Sequence, residues 1–197
     1  MITKYIDFKN FKISKNNKNN KNIKKDLEKL LKEKSIILKS LSPSYKNTYN
    51  KVMISKLMKY THVNVVGMGG SILGTESIYN FLGKKVKKKF YFKNNLQSKI
   101  AQSYKKKDCL NIIVSKSGNT LETISNSNVI IKKEHKNIFI TENKQSYLYL
   151  LANKLKAEII HHNNFIGGRY SVLSEVGMLP AELMGLDINK FKQLNNL

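Results

Sequence analysis

Leu110-Asn-Ile-Ile-Val-Ser-Lys-Ser-Gly-Asn-Thr120 is the stretch on which the reading of this chain turns. Residues 110–114 form a short, mostly apolar run, apolar on what would be both faces of a strand, as a central parallel strand must be. The next six residues, SKSGNT, place three hydroxyls, a lysine and a glycine at the mouth of a helix predicted over 120–133. A strand feeding such a loop into a helix is one βα unit of an α/β fold, and the loop suits a phosphate. A helix N-terminus carries partial positive charge and unpaired N–H groups. Ser115, Ser117 and Thr120 add hydroxyls, Lys116 adds a point charge, and Gly118 lets the backbone come close. The competing reading is an ordinary helix cap, with Ser117 or Thr120 ahead of Glu122 and Thr123. A cap needs one hydroxyl and this loop has three. It is not a Walker A loop, because G-x-x-x-x-G-K-[ST] is absent.

The same alternation extends in both directions. Toward the N-terminus, 62–66 (HVNVV) is a β-branched run stopped by Gly67, followed by a helix over 71–82. Residues 89–92 form a second strand, with a helix over 94–104. Toward the C-terminus come a strand at 137–140, a helix at 145–155, a fifth strand at 158–160, and a helix at 174–184 in which Pro180 is a kink or sits near the first turn. This order predicts a three-layer α/β/α domain around a five-stranded parallel sheet, with ligands beyond the carboxyl ends of the strands. Ahead of it, 15–25 is nearly all Lys and Asn and reads as a solvated or disordered stretch. Ile23, Leu27, Leu30 and Leu31 then mark one helix face, which Leu38 and Leu41 extend before Pro43. A second helix is expected over 46–59, with Tyr49, Val52, Met53 and Leu57 inward. The expected organisation is an N-terminal extension with helices at 1–60, the α/β domain at 61–190 and a tail at 191–197.

Two further loops fall at strand ends. Gly67-Met-Gly-Gly-Ser71-Ile-Leu-Gly74 follows the 62–66 strand and opens a helix, where free N–H groups can hold an anion. It is not a dinucleotide fingerprint: Gly67 and Gly69 fit, the third position is Ile72, and no acidic residue follows the second strand near Lys93. Its glycines could also serve only close packing. Gly167-Gly-Arg-Tyr-Ser171 follows the fifth strand and holds Arg169, the single arginine among 36 basic residues, the other 35 being lysine. A planar, always-charged fork suits developing negative charge on a substrate oxygen. The alternative is a structural arginine paired with Glu175 or Glu122.

Composition narrows the classes. The formal net charge is +23, which alone would suggest a polyanion partner. The charge is nearly all lysine spread along the whole chain, whereas nucleic-acid readers depend on arginine. No specific nucleic-acid role is expected, only salt-sensitive attraction to polyanions. No apolar run approaches the ~20 residues of a membrane span. Cys109, the one cysteine, precludes an internal disulfide and is expected to pack rather than react. With no secretory leader in the first residues, a cytoplasmic location and no membrane partner are expected. No metal or cofactor is called for.

Taken together, VVGMGGSILG, SKSGNTLET and NFIGGRYSVLSEVGMLPAEL resemble, in order and spacing, three motifs of the glucose-6-phosphate isomerase family, whose fold contains sugar isomerase (SIS) domains. Glu175 stands where a small residue or proline is more usual. The resemblance implies interconversion of glucose 6-phosphate and fructose 6-phosphate through a cis-enediolate. It implies that Ser71, Ser115, Ser117 and Thr120 bind the phosphate, helped by Lys116 and the backbone of Gly70, Gly118 and Asn119. Arg169 would stabilise the enediolate and Glu122 would line the site. The family's glutamate base sits in a later E-S-N-G-K-like motif, absent here, and none of His62, His135, His161 or His162 has the context of its ring-opening histidine. His161 and His162 read as edge or surface residues. The chain is therefore expected to be the N-terminal half, with the first SIS domain, inactive alone, with apolar surface exposed; the full-length enzyme would be a homodimer. The other reading is a non-catalytic SIS module that senses a phosphosugar. Such a module usually carries a helix-turn-helix, which the residues before His62 do not suggest.

Overall fold

The computed structural model describes residues 17–33, 40–96 and 109–192. Five strands, β1 (His62–Val66), β2 (Lys89–Lys93), β3 (Cys109–Val114), β4 (Lys136–Thr141) and β5 (Glu158–His161), form one sheet in the order β2-β1-β3-β4-β5, every pairing parallel. The helices are α1 (Asn17–Lys32), α2 (Lys51–Leu57), α3 (Leu73–Leu82), α4 (Leu121–Ile130), α5 (Tyr147–Lys154), α6 (Glu175–Leu183) and α7 (Ile188–Phe191). The expected three-layer α/β fold is present. One face of the sheet, with Val63, Val65, Ile112 and Ile140, packs on Leu57, Ile72, Leu179 and Leu183, from the side of α2, α3 and α6. The other, with Val66, Ile113 and Phe139, packs on Ile130 of α4 and on Leu148 and Ala152 of α5. Every residue of β3 is buried, as its central position requires.

The sheet face that packs against α4 and α5 is not wholly apolar. Asn64, Asn111 and Asn137 lie in register across β1, β3 and β4. Each amide donates to the next side-chain oxygen at 2.8 Å, and Asn137 ends the row on the His135 carbonyl. This ladder satisfies three buried amides side by side, so Asn111 breaks the apolar pattern at little cost.

Several elements start or stop elsewhere than the pattern suggests. The second helix starts at Lys51 because Asn50 is its N-cap, accepting from the Met53 N–H at 2.9 Å. Leu57 is buried and Tyr49 and Met53 pack on the core, but Val52 is 63% exposed. Helix α1 covers most of the Lys/Asn tract that reads as a loop; lysine is a competent helix former, so that tract propagates the turns begun further along. Its face is not covered, Ile23, Leu27 and Leu30 being exposed. The helix over 94–104 and Leu38 fall mainly outside the described residues. Pro180 lies inside α6. Having no N–H, it leaves the Val176 carbonyl without its helical donor, and the buried Thr75 hydroxyl of α3 donates to that carbonyl at 3.3 Å instead.

Candidate functional site

Loops converge beyond the carboxyl ends of β1, β3, β4 and β5. After β1, Gly69 takes φ +54°, a left-handed conformation that opens a 3₁₀ turn over Gly69–Ser71. After β5, residues 163–167 lead into a second 3₁₀ turn, Gly168–Leu173. The two turns touch backbone to backbone: a Cβ on Gly70 would lie 2.1 Å from the Gly168 carbonyl oxygen. The Ser171 hydroxyl bridges them, donating toward the Gly168 and Gly70 carbonyls at 2.7 and 3.0 Å. Gly70 thus serves close packing, and that packing seats the Gly168–Arg169 backbone against the Gly70 turn.

The SKSGNT loop is held largely by itself. The Ser115 and Thr120 hydroxyls share a hydrogen bond of 3.0 Å, the Ser115 oxygen accepts from the Gly118 N–H, and the Ser117 oxygen accepts from the Asn119 N–H. Ser115 is 2% exposed and acts from inside the turn. Gly118 has φ +67°, and a Cβ there would collide with the Ser146 hydroxyl. Its closeness is to the start of α5, whose Leu148 N–H donates to the Gly118 carbonyl. The Asn119 side chain faces the same way, accepting from the Tyr147 N–H at 2.9 Å. No side chain caps α4 at Thr120. The hydroxyls of this loop are therefore not spent on capping, the first-turn N–H groups of α4 have no side-chain cap, and Thr120 at the start of that helix lines a cleft.

That cleft has a volume of about 320 Å³ and is lined by Ser71, Lys116, Ser117, Thr120, Glu142 and Lys144. Lys116 donates to the Asn164 carbonyl at 2.6 Å, tying this loop to the Arg169 segment, and sits 3.6 Å from Glu142. Lys144 is 3.3 Å from the same carboxylate. Glu142 and Lys144 were missed in the sequence; they lie on the β4 loop, which the carboxyl-end rule for parallel sheets points to. Arg169 is exposed and makes no hydrogen bond or ion pair with the described residues. The structural pairing with Glu175 or Glu122 does not occur. Glu122 stands in the first turn of α4, half-buried and outside the cleft lining. Thr123, beside it, is buried with its hydroxyl unpartnered.

A larger cavity of about 470 Å³ lies at the opposite end of β4, lined by Lys132, Lys133, Lys136, Lys154 and Lys156 among others. It sits at the C-terminal ends of α4 and α5, where helix carbonyls favour cations, so its lysines have a structural reason to be there.

The histidines divide. His161 is exposed, accepting from the Asn143 N–H. His162 is not at the surface: it is 2% exposed and hydrogen bonds through Nδ1 to Glu175 at 2.6 Å. A buried carboxylate on α6 gives that ring a partner that its place after a strand did not reveal. Cys109 is fully buried, accepts from the Asn64 amide, and burial pushes its thiol up to about 11, so it packs as expected. Among the described residues no cluster of His, Cys, Asp and Glu could hold a metal, and no helix is long and apolar enough to cross a membrane.

A sequence profile of the family described as phosphoglucose isomerase matches residues 11–196. The chain belongs to the phosphoglucose isomerase family. It is 36% identical over 141 residues to a glucose-6-phosphate isomerase of Methanocaldococcus jannaschii, covering 66% of this chain and 35% of that protein. It is 31% identical over 166 residues to the enzyme of the same name from Mycoplasmoides gallisepticum, covering 76% of this chain and 38% of that protein. The chain thus spans a little over a third of the length of these phosphoglucose isomerases. A hypothetical protein of Thermus thermophilus shares the fold, with a TM-score of 0.68 at 19% identity over 88% of this chain and 46% of that one.

Proposed function

We propose that the cleft at the start of α4 binds the phosphate of a hexose 6-phosphate, and that the chain supplies this side of the interconversion of glucose 6-phosphate and fructose 6-phosphate. The observation that carries the reading is the uncapped α4 N-terminus opening into a cleft lined by Ser71, Ser117, Thr120, Lys116 and Lys144. Helix N–H groups, hydroxyls and ammonium groups are the donors a phosphate dianion needs. Ser115 and Gly118 keep the loop in shape from within, and Asn119 anchors it to α5.

Isomerisation moves a proton between C1 and C2 and passes through an enediolate, whose oxygens carry negative charge. Arg169, whose side chain has no partner among the described residues and whose backbone is packed against the Gly70 turn, is assigned to that charge. A simple phosphosugar sensor has no such charge to meet. The proton transfer needs a general base. Glu142, the one carboxylate lining the cleft, is engaged by two lysines, so this chain is assigned the phosphate and oxyanion roles and not the base. Calorimetric titration with fructose 6-phosphate tests the reading. Saturable binding, weakened at least tenfold by Ser117→Ala with Thr120→Val, is expected. Absence of binding to the wild-type chain, or binding that the double variant leaves intact, would overturn it.

A further inference from the structure

Arg169 has no side-chain partner among the described residues, so its aim depends on the backbone of the segment that carries it, residues 163–174. His162 is the residue before that segment and Glu175 the residue after it. Thirteen positions apart, they meet through a 2.6 Å bond from His162 Nδ1 to Glu175 Oε1, with side chains 2% and 0% exposed. The other ring nitrogen reaches into the segment, donating to the Ile166 carbonyl at 3.1 Å. Both ring nitrogens are thereby engaged, one by the carboxyl of Glu175 and one by a backbone carbonyl inside the segment. The second carboxylate oxygen accepts from the Tyr45 hydroxyl at 2.9 Å, and that hydroxyl accepts from the Asn163 amide at 2.8 Å. Lys192 holds Tyr45 in turn, bonding its carbonyl and lying 4.8 Å from its ring centre. The segment is thus closed at its base by the pair and fixed near its middle by Ser171 on the Gly70 carbonyl.

For stability alone, an apolar pair of equal volume often serves as well or better, whereas this pair, through its bonds to Ile166 and, by way of Tyr45, to Asn163, ties the ends of the segment to its interior. We infer that His162 and Glu175 are positioning residues for Arg169, locking the base of the loop that carries it so that its backbone stays seated against the Gly70 turn beside the cleft. The inference rests on the proposed isomerase chemistry.

Two probes separate the loop's aim from phosphate binding. Inorganic phosphate reports on the cleft at α4. A phosphorylated aldonohydroxamate, whose planar end imitates the enediolate, reports on Arg169 as well. Glu175→Ala and His162→Gln are expected to weaken the hydroxamate at least tenfold while phosphate affinity stays within twofold. Glu175→Gln keeps an acceptor for His162 and is expected to recover part of the loss. Combining Arg169→Ala with Glu175→Ala should cost no more than Arg169→Ala alone, because both act through one group. If Glu175→Ala does not fold, Tyr45→Phe removes only the hydroxyl that braces the carboxylate, and should weaken the hydroxamate about threefold at unchanged phosphate affinity. Equal losses on both probes, losses that add to that of Arg169→Ala, or no loss on the hydroxamate overturn the inference. A wild-type chain that binds neither probe overturns the proposed function itself, and the inference with it.

Discussion

The SKSGNT loop and the Arg169 segment, joined by the Lys116–Asn164 bond, are held over different ranges of the chain. The hydroxyls of SKSGNT bond within the loop, to residues two to five positions away, and its outward ties, to Tyr147, Leu148 and Asn164 among others, reach no more than 48 positions on. The Arg169 segment is held from outside, by Tyr45 acting 130 positions away on Glu175 and by Gly70 101 positions from Ser171. A locally closed loop presents donors wherever its strand and helix meet. A remotely held one places its charge only when the whole fold is assembled. The first arrangement suits the ground-state phosphate, and the second suits a group needed only where charge develops.

This contrast predicts unequal responses to substitution. The largest is expected at the buried pair. Glu175→Ala strips the buried His162 ring and the Tyr45 hydroxyl of their shared partner and should cost about 3–5 kcal/mol, read from urea unfolding. In the self-closed loop the sensitivity is in binding. Hydrogen bonds to a charged group are worth about 1.5–3 kcal/mol, so Ser117→Ala or Thr120→Val should weaken fructose 6-phosphate binding by roughly ten- to a hundredfold with little change in unfolding. A similar loss of stability from the loop variants would erase the distinction. Between the loops, Gly70→Ala forces a Cβ onto the Gly168 carbonyl and should destabilise by about 1–3 kcal/mol while displacing Arg169.

Acid should also act on the remotely held loop. Burial raises the Glu175 carboxyl, but hydrogen bonds from His162, its own backbone and Tyr45, with the attraction of His162, bring it below its ordinary value. A carboxyl depressed on folding contributes stability that is present above its unfolded value of about 4.3 and lost as pH falls through the folded one. Melting temperature should therefore drop below about pH 4 more steeply in the wild type than in Glu175→Gln. The smallest effect is expected at the cleft wall. Glu142→Gln removes a negative charge from beside Lys116 and Lys144, and should raise phosphate affinity about threefold at low salt.

The same contrast explains how much could be read in the sequence. The strand and loop at 110–120 were legible because an apolar run, a cluster of hydroxyls and a glycine at a strand's end are local signals. The parallel sheet followed from the repetition of that unit. The His162–Glu175–Tyr45 network was not legible, because nothing in the spacing of a histidine after a strand, a glutamate after a serine cap and a tyrosine after Pro43 says that they meet. Glu142 and Lys144 were hidden in ITENKQ, a surface-like run whose role depends on its place at a strand's carboxyl end. The Asn64–Asn111–Asn137 ladder escaped for a related reason: an asparagine in a strand looks like a break in the pattern until its neighbours in register are asparagines too.

The central claim is that phosphate sits at the start of α4. It is tested most directly by titrating the ¹⁵N-labelled chain with fructose 6-phosphate and following backbone amide resonances. Saturable shifts are predicted to be largest for Ser117, Thr120, Leu121 and Glu122, with smaller ones at Ser71 and Arg169, and all should vanish in Thr120→Val with Ser117→Ala. Shifts concentrated instead at Lys132, Lys133 and Lys156, the lysine-lined cavity at the other end of the sheet, would contradict it.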